Sequence, residues 1–336
     1  MSLNTLEEIA SYIVSDGKGI LAADESNPTC TKRFDTIGVE STEESRRDYR
    51  EMLFRSGGIQ GNIGGVILFD ETIRQNAKDG TSLVDLMNSQ GALPGIKVDK
   101  GLQPIGDSDE TVTVGLEGLD ERLKEYSLLG AKFTKWRAVI KIGNNLPTDN
   151  CIDANMKALA DYAKVVQDNG MVPMVEPEVL MEGDHSIEEC FLATERSLKS
   201  LFHHLKENGV NIKGTILKPN MVTAGSTCSN QAGINEVAQK TLACLKANVP
   251  SELPAITFLS GGQSELLATA HLDAMNKIGG FDWKLSFSYG RALQAPTLKA
   301  WMGKPENVFI AQDALSHRAK MNQLAALGQW DKGLED

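Results

Sequence analysis

Short hydrophobic segments alternate with helix-like segments along this 336-residue sequence. Most of the short segments are nearly continuous apolar runs, which is typical of strands covered on both faces of a parallel sheet. Eight segments fit this description, at residues 19–24, 65–69, 95–98, 136–142, 172–176, 214–218, 255–260 and 284–288. Eight strands with intervening helices predict an α/β protein folded as a closed (β/α)8 TIM barrel. A doubly wound open sheet is the alternative, because alternation alone does not establish closure.

The helix-like segments carry recognisable start signals. Capping boxes begin at Ser41 and Ser186, while Asp120 and Ser264 are candidate N-caps of two more helices. Extra helices are predicted at both ends of the chain, after Thr297 and near the N-terminus. The apolar face of the N-terminal helix is formed by Leu6, Ile9, Ala10 and Ile13. No linker or change of composition interrupts the pattern, so we expect one domain over residues 1–336.

Composition excludes several classes of function. The formal net charge of −11 makes the chain a poor candidate for nucleic-acid binding. No apolar run approaches the roughly 20 residues of a membrane helix, and the N-terminus lacks a signal-peptide pattern. The cysteines are odd in number and scattered, which favours reduced thiols in the cytoplasm. They are Cys30, Cys151, Cys190, Cys228 and Cys244.

Lys218 stands at the end of the sixth predicted strand. An apolar segment precedes it, and Pro219 ends regular strand pairing. Burial at this position disfavours the charged ammonium form, and a neutral amine beside a cleft is a nucleophile for carbonyl carbons. The segment therefore suggests Schiff-base chemistry. The alternative is a salt-bridge partner, which a single lysine at a strand end more often is.

Other polar side chains also fall near strand ends, where barrel enzymes place their catalytic groups. They are Asp24, Lys97, Lys135, Arg137, Glu176, Glu178, Ser260 and Arg291. Strand alternation puts Lys135 and Arg137 on the same face, although both lie near the start of their predicted strand. Cations on an inward face need anionic compensation, which Asp24, Glu176 and a phosphate ligand would supply.

Glycines after the last two strands support a phosphate site. Ser260-Gly261-Gly262 follows the seventh strand, and Tyr289-Gly290-Arg291 follows the eighth. Barrels often bind phosphate in these loops, because glycines let backbone N–H groups approach an oxyanion. Lys32 and Arg33 form a candidate second anion site. The alternatives are a plain turn for Gly261-Gly262 and a solvated surface pair for Lys32-Arg33. His203 and His204 have no metal-ligand spacing, so no metal site is predicted.

The segments that carry these residues resemble the class I fructose-1,6-bisphosphate aldolase family, in the family's order and over essentially the whole chain. The matching segments are residues 19–26, 95–101, 135–137, 175–178, 217–222, 258–264 and 287–291. The resemblance implies that Lys218 forms the Schiff base and that Glu176 is the acid/base for carbinolamine formation and dehydration. The resemblance also implies that Lys135 stays charged and assists the carbinolamine step. Asp24 would be the carboxylate that handles the hydroxyl proton during cleavage, and Glu178 would be a supporting acid.

The resemblance also implies two phosphate sites. Ser260, Gly261, Gly262, Ser288, Gly290 and Arg291 would bind the ketose phosphate nearest the Schiff base. Lys97, Arg137, Lys32 and Arg33 would serve the other phosphate, and Thr29 replaces a serine of many members. The Schiff base absorbs electrons as an enamine, so neither a metal nor another cofactor is expected.

The implied substrate is a sugar bisphosphate, fructose 1,6-bisphosphate, split reversibly into dihydroxyacetone phosphate and glyceraldehyde 3-phosphate. The alternatives are sedoheptulose 1,7-bisphosphate as a preferred substrate, a transaldolase-like barrel, a metal-dependent aldolase and a scaffold for cytoskeletal or other partners. The family is usually homotetrameric, and a homotetramer is implied here. No nucleic acid or membrane partner is expected. The implied location is the cytoplasm, or a plastid if a transit peptide has been removed.

The sequence departs from the family pattern in a residue type that serves the enamine step. Many family members carry a flexible C-terminal tail with a tyrosine that transfers a proton at the enamine carbon, whereas no tyrosine follows Tyr289 here. Either another group or water serves this step, or the sequence is shortened. We expect imine formation to be retained and enamine turnover to be slower than in relatives with the tail.

Overall fold

A computed structural model describes residues 3–335 of the chain. Its strands are β1 (Gly19–Ala23), β2 (Ile63–Leu68), β3 (Leu93–Lys97), β4 (Leu102–Pro104), β5 (Thr111–Thr113), β6 (Phe133–Ile140), β7 (Val172–Val179), β8 (Ile216–Leu217), β9 (Ala255–Phe258) and β10 (Lys284–Tyr289). Eight of them form a closed barrel in the order β1-β10-β9-β8-β7-β6-β3-β2, with parallel pairing throughout. The predicted TIM barrel is confirmed, and the open sheet is wrong.

Helices follow the barrel strands and extend beyond them at both ends. They are α1 (Leu6–Ile13), α2 (Asn27–Asp35), α3 (Glu43–Phe54), α4 (Asp70–Ile73), α5 (Leu83–Ser89), α6 (Leu119–Leu128), α7 (Asp149–Asp168), α8 (Ile187–Glu207), α9 (Ile234–Asn248), α10 (Glu265–Ile278), α11 (Arg291–Trp301) and α12 (Val308–Ala326). Among these helices, none combines the length and the hydrophobicity that crossing a lipid bilayer would require.

Two of the four predicted N-caps differ from the structure. Ser186 and Ser264 cap α8 and α10 as predicted. The capping box of α3 begins at Thr42 instead of Ser41, because the Thr42 hydroxyl accepts from the backbone of the third helical residue. Helix α6 begins after Gly118, so Asp120 lies in its first turn, where its carboxylate accepts from the Asn169 side chain.

The antiparallel pair β4–β5 was missed by the sequence analysis. Each strand has three residues, and β4 is exposed along its length. A strand this short and exposed carries no hydrophobic alternation that a sequence pattern could reveal. The pair lies outside the barrel and follows β3 in the chain.

Helix α1 closes the amino-terminal end of the barrel. Its residues Ile9, Ala10 and Ile13 pack in one hydrophobic cluster with inward side chains of six barrel strands. Those side chains are Ile20, Ala22, Ile67, Phe133, Val172, Met174, Ile216 and Ala255. A second, larger cluster fills the layer between the barrel and its helices. The polar site can therefore lie only at the opposite, carboxyl end of the strands.

The contact between α1 and β2 depends on Gly64. A Cβ atom built on Gly64 would lie 2.0 Å from the carbonyl oxygen of Ile13. We therefore expect Gly64→Ala to displace α1 and to lower the free energy of unfolding by about 1–3 kcal/mol, as overpacking does. Chemical denaturation would measure the change.

Gly57→Ala is the matched control for this prediction, because a Cβ at Gly57 meets no atom within 4 Å. If both variants unfold at the same denaturant concentration, the close approach of α1 to Gly64 does not constrain the barrel.

Candidate active site

The carboxyl ends of the barrel strands surround a polar cavity of ≈ 270 Å³. Of the residues proposed from the sequence, only Gly262 and Lys32 do not line it. Those that do are Asp24, Thr29, Arg33, Lys97, Lys135, Arg137, Glu176, Glu178, Lys218, Ser260, Gly261, Ser288, Gly290 and Arg291. The fold thus brings together residues that are almost 270 positions apart in the chain.

Lys218 follows directly after β8. Its backbone N–H donates to the carbonyl of Val175 in β7 at 2.8 Å, which fixes the start of the side chain at the barrel edge. The side chain is 5% exposed, and its Nζ lies 3.1 Å from Oε1 of Glu176, which is equally buried. The amine therefore has a carboxylate within proton-transfer distance.

Lys135 continues this line of charges. Its Nζ lies 3.3 Å from Oε2 of Glu176 and 2.9 Å from Oδ2 of Asp24, the residue that follows β1. The result is an alternating series of charges in the order Lys218, Glu176, Lys135 and Asp24, of which the first three are buried and Asp24 is partly buried. Each charge in the series has a partner of opposite sign, which offsets the cost of removing it from water.

The charges in the series set one another's protonation. Burial alone would raise the pKa of Asp24, but the ammonium groups of Lys135 and Lys218 hold that pKa well below its usual range. Burial likewise opposes ionisation of Glu176, whose pKa is nevertheless lowered by Lys135, Lys218 and Arg137. Burial would lower the pKa of Lys135, but Asp24 and Glu176 raise it. Both carboxylates and the Lys135 ammonium are therefore charged at neutral pH.

The pairing register explains why Lys135 reaches the site from near the beginning of its predicted strand. Strand β6 begins at Phe133, and Lys135 pairs with Lys97, the last residue of β3. Farther along β6, Arg137 pairs in register with Glu176 of β7. Strands β6 and β7 therefore extend beyond β3 at the carboxyl end, and the Arg137 side chain forms an ion pair with Glu178.

One end of the cavity carries groups that can bind an anion. Gly261 and Gly262 adopt left-handed backbone conformations, with φ of 55° and 84°, which favour glycine. Nη2 of Arg291 lies 3.6 Å from the position that a Cβ on Gly262 would occupy. The hydroxyl of Ser288 is buried without a hydrogen-bond partner. Nη2 of Arg33 lies 3.6 Å from the equivalent Cβ position of Gly290, so Arg33 belongs to this end.

Lys97 and Thr29 line the cavity elsewhere. Nζ of Lys97 lies 2.6 Å from a carboxylate oxygen of Asp99 and also donates to its backbone carbonyl. Thr29, on α2, lies with its hydroxyl 3.1 Å from that of Ser26. Lys32, which is also on α2, is exposed and does not line the cavity.

Glu25 is a buried residue of the site to which the sequence analysis gave no role. Its carboxylate forms an ion pair with Arg33, accepts from Nε2 of Gln294 at 2.8 Å and lies 3.6 Å from Arg50. Gln294 and the charge of Arg50 hold the Glu25 carboxylate, which in turn holds the Arg33 guanidinium at the cavity wall. The position of Glu25 directly after Asp24 was the signal that could have revealed it, but strand alternation predicted that its side chain does not point inward.

Within residues 3–335, no group of three or more histidine, cysteine, aspartate or glutamate side chains is arranged to hold a metal ion. The arrangement places the buried amine of Lys218 beside the Glu176 carboxylate and the Asp24 carboxylate beside the Lys135 ammonium. A glycine loop that can bind an anion lies nearby. Together these groups suit proton transfer around a carbonyl compound that carries phosphate.

Comparisons with known proteins agree with this geometry. A family model described as fructose-bisphosphate aldolase class-I matches residues 5–336. A probable fructose-bisphosphate aldolase class 1 from Xanthomonas axonopodis pv. citri is 53% identical over 332 residues, covering 98% of this chain and 99% of the relative. Fructose-bisphosphate aldolase 4, cytosolic, of Arabidopsis thaliana is 51% identical over 95% of this chain and 82% of that protein.

A solved structure is also similar over nearly its whole length. It is a fructose-bisphosphate aldolase from Plasmodium falciparum in ternary complex with TRAP and a small molecule inhibitor. The TM-score is 0.96 at 47% sequence identity, over 98% of this chain and 95% of that chain. The resemblance inferred from the sequence is therefore confirmed, and this chain belongs to the class-I fructose-bisphosphate aldolase family.

Proposed function

We propose that this chain reversibly cleaves fructose 1,6-bisphosphate into dihydroxyacetone phosphate and glyceraldehyde 3-phosphate through a Schiff base on Lys218. The observation that carries the proposal is the series Lys218, Glu176, Lys135 and Asp24, with a nucleophile at one end and a base at the other. The reaction serves glycolysis and gluconeogenesis. Family membership and the names of the similar proteins support the activity.

The first chemical steps take place between Lys218 and Glu176. One proton of the Lys218 ammonium passes to the Glu176 carboxylate 3.1 Å away, and the free amine attacks the C2 carbonyl. A second proton then moves from the attacking nitrogen to the C2 oxygen, which becomes the carbinolamine hydroxyl. Glu176 then returns a proton to the carbinolamine hydroxyl, which leaves as water while the iminium forms. Lys135 stays charged and stabilises the oxygen that becomes negative during attack.

Asp24 acts in the cleavage step. It takes the proton of the C4 hydroxyl, the C3–C4 bond breaks, and the bonding electrons move into the iminium to give an enamine. Burial would raise the pKa of Asp24, but the ammonium groups of Lys135 and Lys218 hold it low, so the carboxylate is ionised and can accept this proton. Water or another group then protonates the enamine at C3, and Asp24 loses the proton that it took. Hydrolysis of the imine releases dihydroxyacetone phosphate and restores the Lys218 amine.

The cavity favours a substrate with two phosphates. The loop of Ser260 and Gly261, together with Arg291 and Arg33, offers donors at one end, and Lys97 offers a cation elsewhere. Two anion sites disfavour a transaldolase-like substrate, while sedoheptulose 1,7-bisphosphate satisfies the same requirement and is a second candidate. The imine supplies the electron sink, so the proposed mechanism requires no metal.

The cellular location and the oligomeric state of the protein are also part of the proposal. We place it in the cytoplasm, supported by the cytosolic relative from Arabidopsis thaliana, with a plastid as the alternative. We also propose a homotetramer.

A second role, as a scaffold for a cytoskeletal or other partner, is favoured by the Plasmodium falciparum structure, which is a complex with TRAP.

Imine formation can be tested by borohydride reduction in the presence of fructose 1,6-bisphosphate, with and without EDTA, followed by peptide mass mapping. We expect a reduced adduct on Lys218 that EDTA does not affect, and no adduct in Lys218→Met. The exposed lysine variant Lys199→Met is the control and should keep the adduct.

Activity that EDTA abolishes, without any adduct, would contradict the imine and favour a metal-dependent aldolase. The absence of both adduct and activity would favour the scaffold role. Lys218→Met also separates the two roles, since a scaffold would keep its partner without the amine.

Glu176→Gln tests the acid/base role. The amide keeps the volume of the side chain but cannot take a proton from Lys218, so we expect kcat to fall by about 10²- to 10⁴-fold and the adduct to form slowly. Single-turnover kinetics would measure both. Glu188→Gln, which changes an exposed carboxylate paired with Lys240, is the control. Equal rates in the two variants would remove Glu176 from the mechanism.

Lys97→Met tests the second phosphate site. We expect the KM for fructose 1,6-bisphosphate to rise about tenfold or more, because a charge-assisted hydrogen bond is lost, while the KM for fructose 1-phosphate stays unchanged. Lys32→Met is the control and should alter neither constant, since Lys32 is outside the cavity. A rise for both substrates in Lys97→Met would contradict a role specific to the distal phosphate.

A further inference from the structure

The loop between β9 and α10 depends on Gln263 for its shape. The carbonyl of Ser260 accepts two hydrogen bonds from Gln263, at 3.0 Å from the backbone N–H and at 3.1 Å from the side-chain Nε2. Between these residues, Gly261 and Gly262 both adopt left-handed conformations. The two hydrogen bonds close a tight turn, and Ser260 and Gly261 of this turn line the cavity.

His271 of α10 orients the Gln263 side chain. Its Nδ1 lies 2.6 Å from Oε1 of Gln263. Because the Gln263 amide nitrogen donates to Ser260, its Oε1 must accept, so His271 donates from Nδ1. His271 is 2% exposed, and burial lowers its pKa to about 4, so the ring is neutral with its single proton on Nδ1.

The remaining ring nitrogen shows that packing alone does not explain His271. Its Nε2 is buried without a hydrogen-bond partner. An unpaired buried acceptor costs stability, so an apolar residue would serve better if the position only filled space. What an apolar residue could not supply is the hydrogen bond to Gln263.

We propose that His271 is a positioning residue for phosphate binding, which holds the Ser260-Gly261-Gly262 loop in its anion-binding shape through Gln263. His271 does not line the cavity and acts only through Gln263. The inference rests on the proposed function, in which this loop binds the phosphate nearest Lys218.

Three variants of α10 test the proposal. His271→Leu removes the donor, whereas His271→Asn keeps one, since its amide nitrogen can occupy the place of Nδ1. Thr269→Val is the matched control: Thr269 is fully buried on the same helix, but its hydroxyl bonds to Asn322 of α12 instead of the loop. All three are made in a Lys97→Met background, so that phosphate bound at the second proposed site, near Lys97, does not contribute to the measured affinity.

The probe is inorganic phosphate, and its affinity is measured by calorimetry. We expect His271→Leu to bind phosphate about 5- to 10-fold more weakly, as the loss of one neutral hydrogen bond predicts. His271→Asn should restore the affinity, and Thr269→Val should leave it unchanged. Borohydride trapping with unphosphorylated dihydroxyacetone should still label Lys218 in His271→Leu.

The outcomes separate the two proposals. Unchanged phosphate affinity in His271→Leu, or an equal loss in Thr269→Val, would overturn the positioning role. If the phosphate affinities follow the expected order but dihydroxyacetone never labels Lys218 in the wild-type protein, the proposed function fails and the positioning role stands.

Discussion

The buried ammonium group of Lys135, held between Asp24 and Glu176, is the interaction on which the rest of the site depends. It keeps two carboxylates ionised in a place where burial would otherwise protonate them. Glu176 in turn lies beside Lys218, so the amine has a proton acceptor before any ligand arrives. Removal of Glu176 or Lys135 would leave an end charge of the series, Lys218 or Asp24, without its ion-pair partner, which is destabilising at a site shielded from water. Stability and chemistry are thus coupled in this series.

The barrel makes this arrangement feasible by separating its two ends. Helix α1 fills the amino-terminal end with Ile9, Ala10 and Ile13, so that end is apolar and closed. At the carboxyl end, the long strands β6 and β7 extend beyond β3 and carry charges above the hydrophobic layer. The charges therefore lie close to one another, apart from the hydrophobic cluster at the other end of the barrel.

Most of the fold and much of the site could be predicted from the sequence. Near-continuous apolar strands gave the barrel, and the family resemblance gave Lys218, Glu176 and their neighbours. What could not be predicted depends on side-chain direction. Glu25, to which no role was assigned, is buried and holds Arg33, whereas Lys32, a predicted anion ligand, lies on the exposed face of α2. The contact from His271 to Gln263 likewise requires that a helix and a loop be seen together.

The ionic composition of the cavity wall has a consequence for encounter with ligands. Six cationic side chains line it, namely Arg33, Lys97, Lys135, Arg137, Lys218 and Arg291, against four anionic ones, Asp24, Glu25, Glu176 and Glu178. The whole chain carries a net charge of −11. A bisphosphate approaching the molecule therefore meets a net negative charge overall and an excess of positive charge at this opening, where the low-dielectric wall concentrates the field. This contrast in charge favours the encounter of an anionic sugar phosphate with the opening that leads to Lys218.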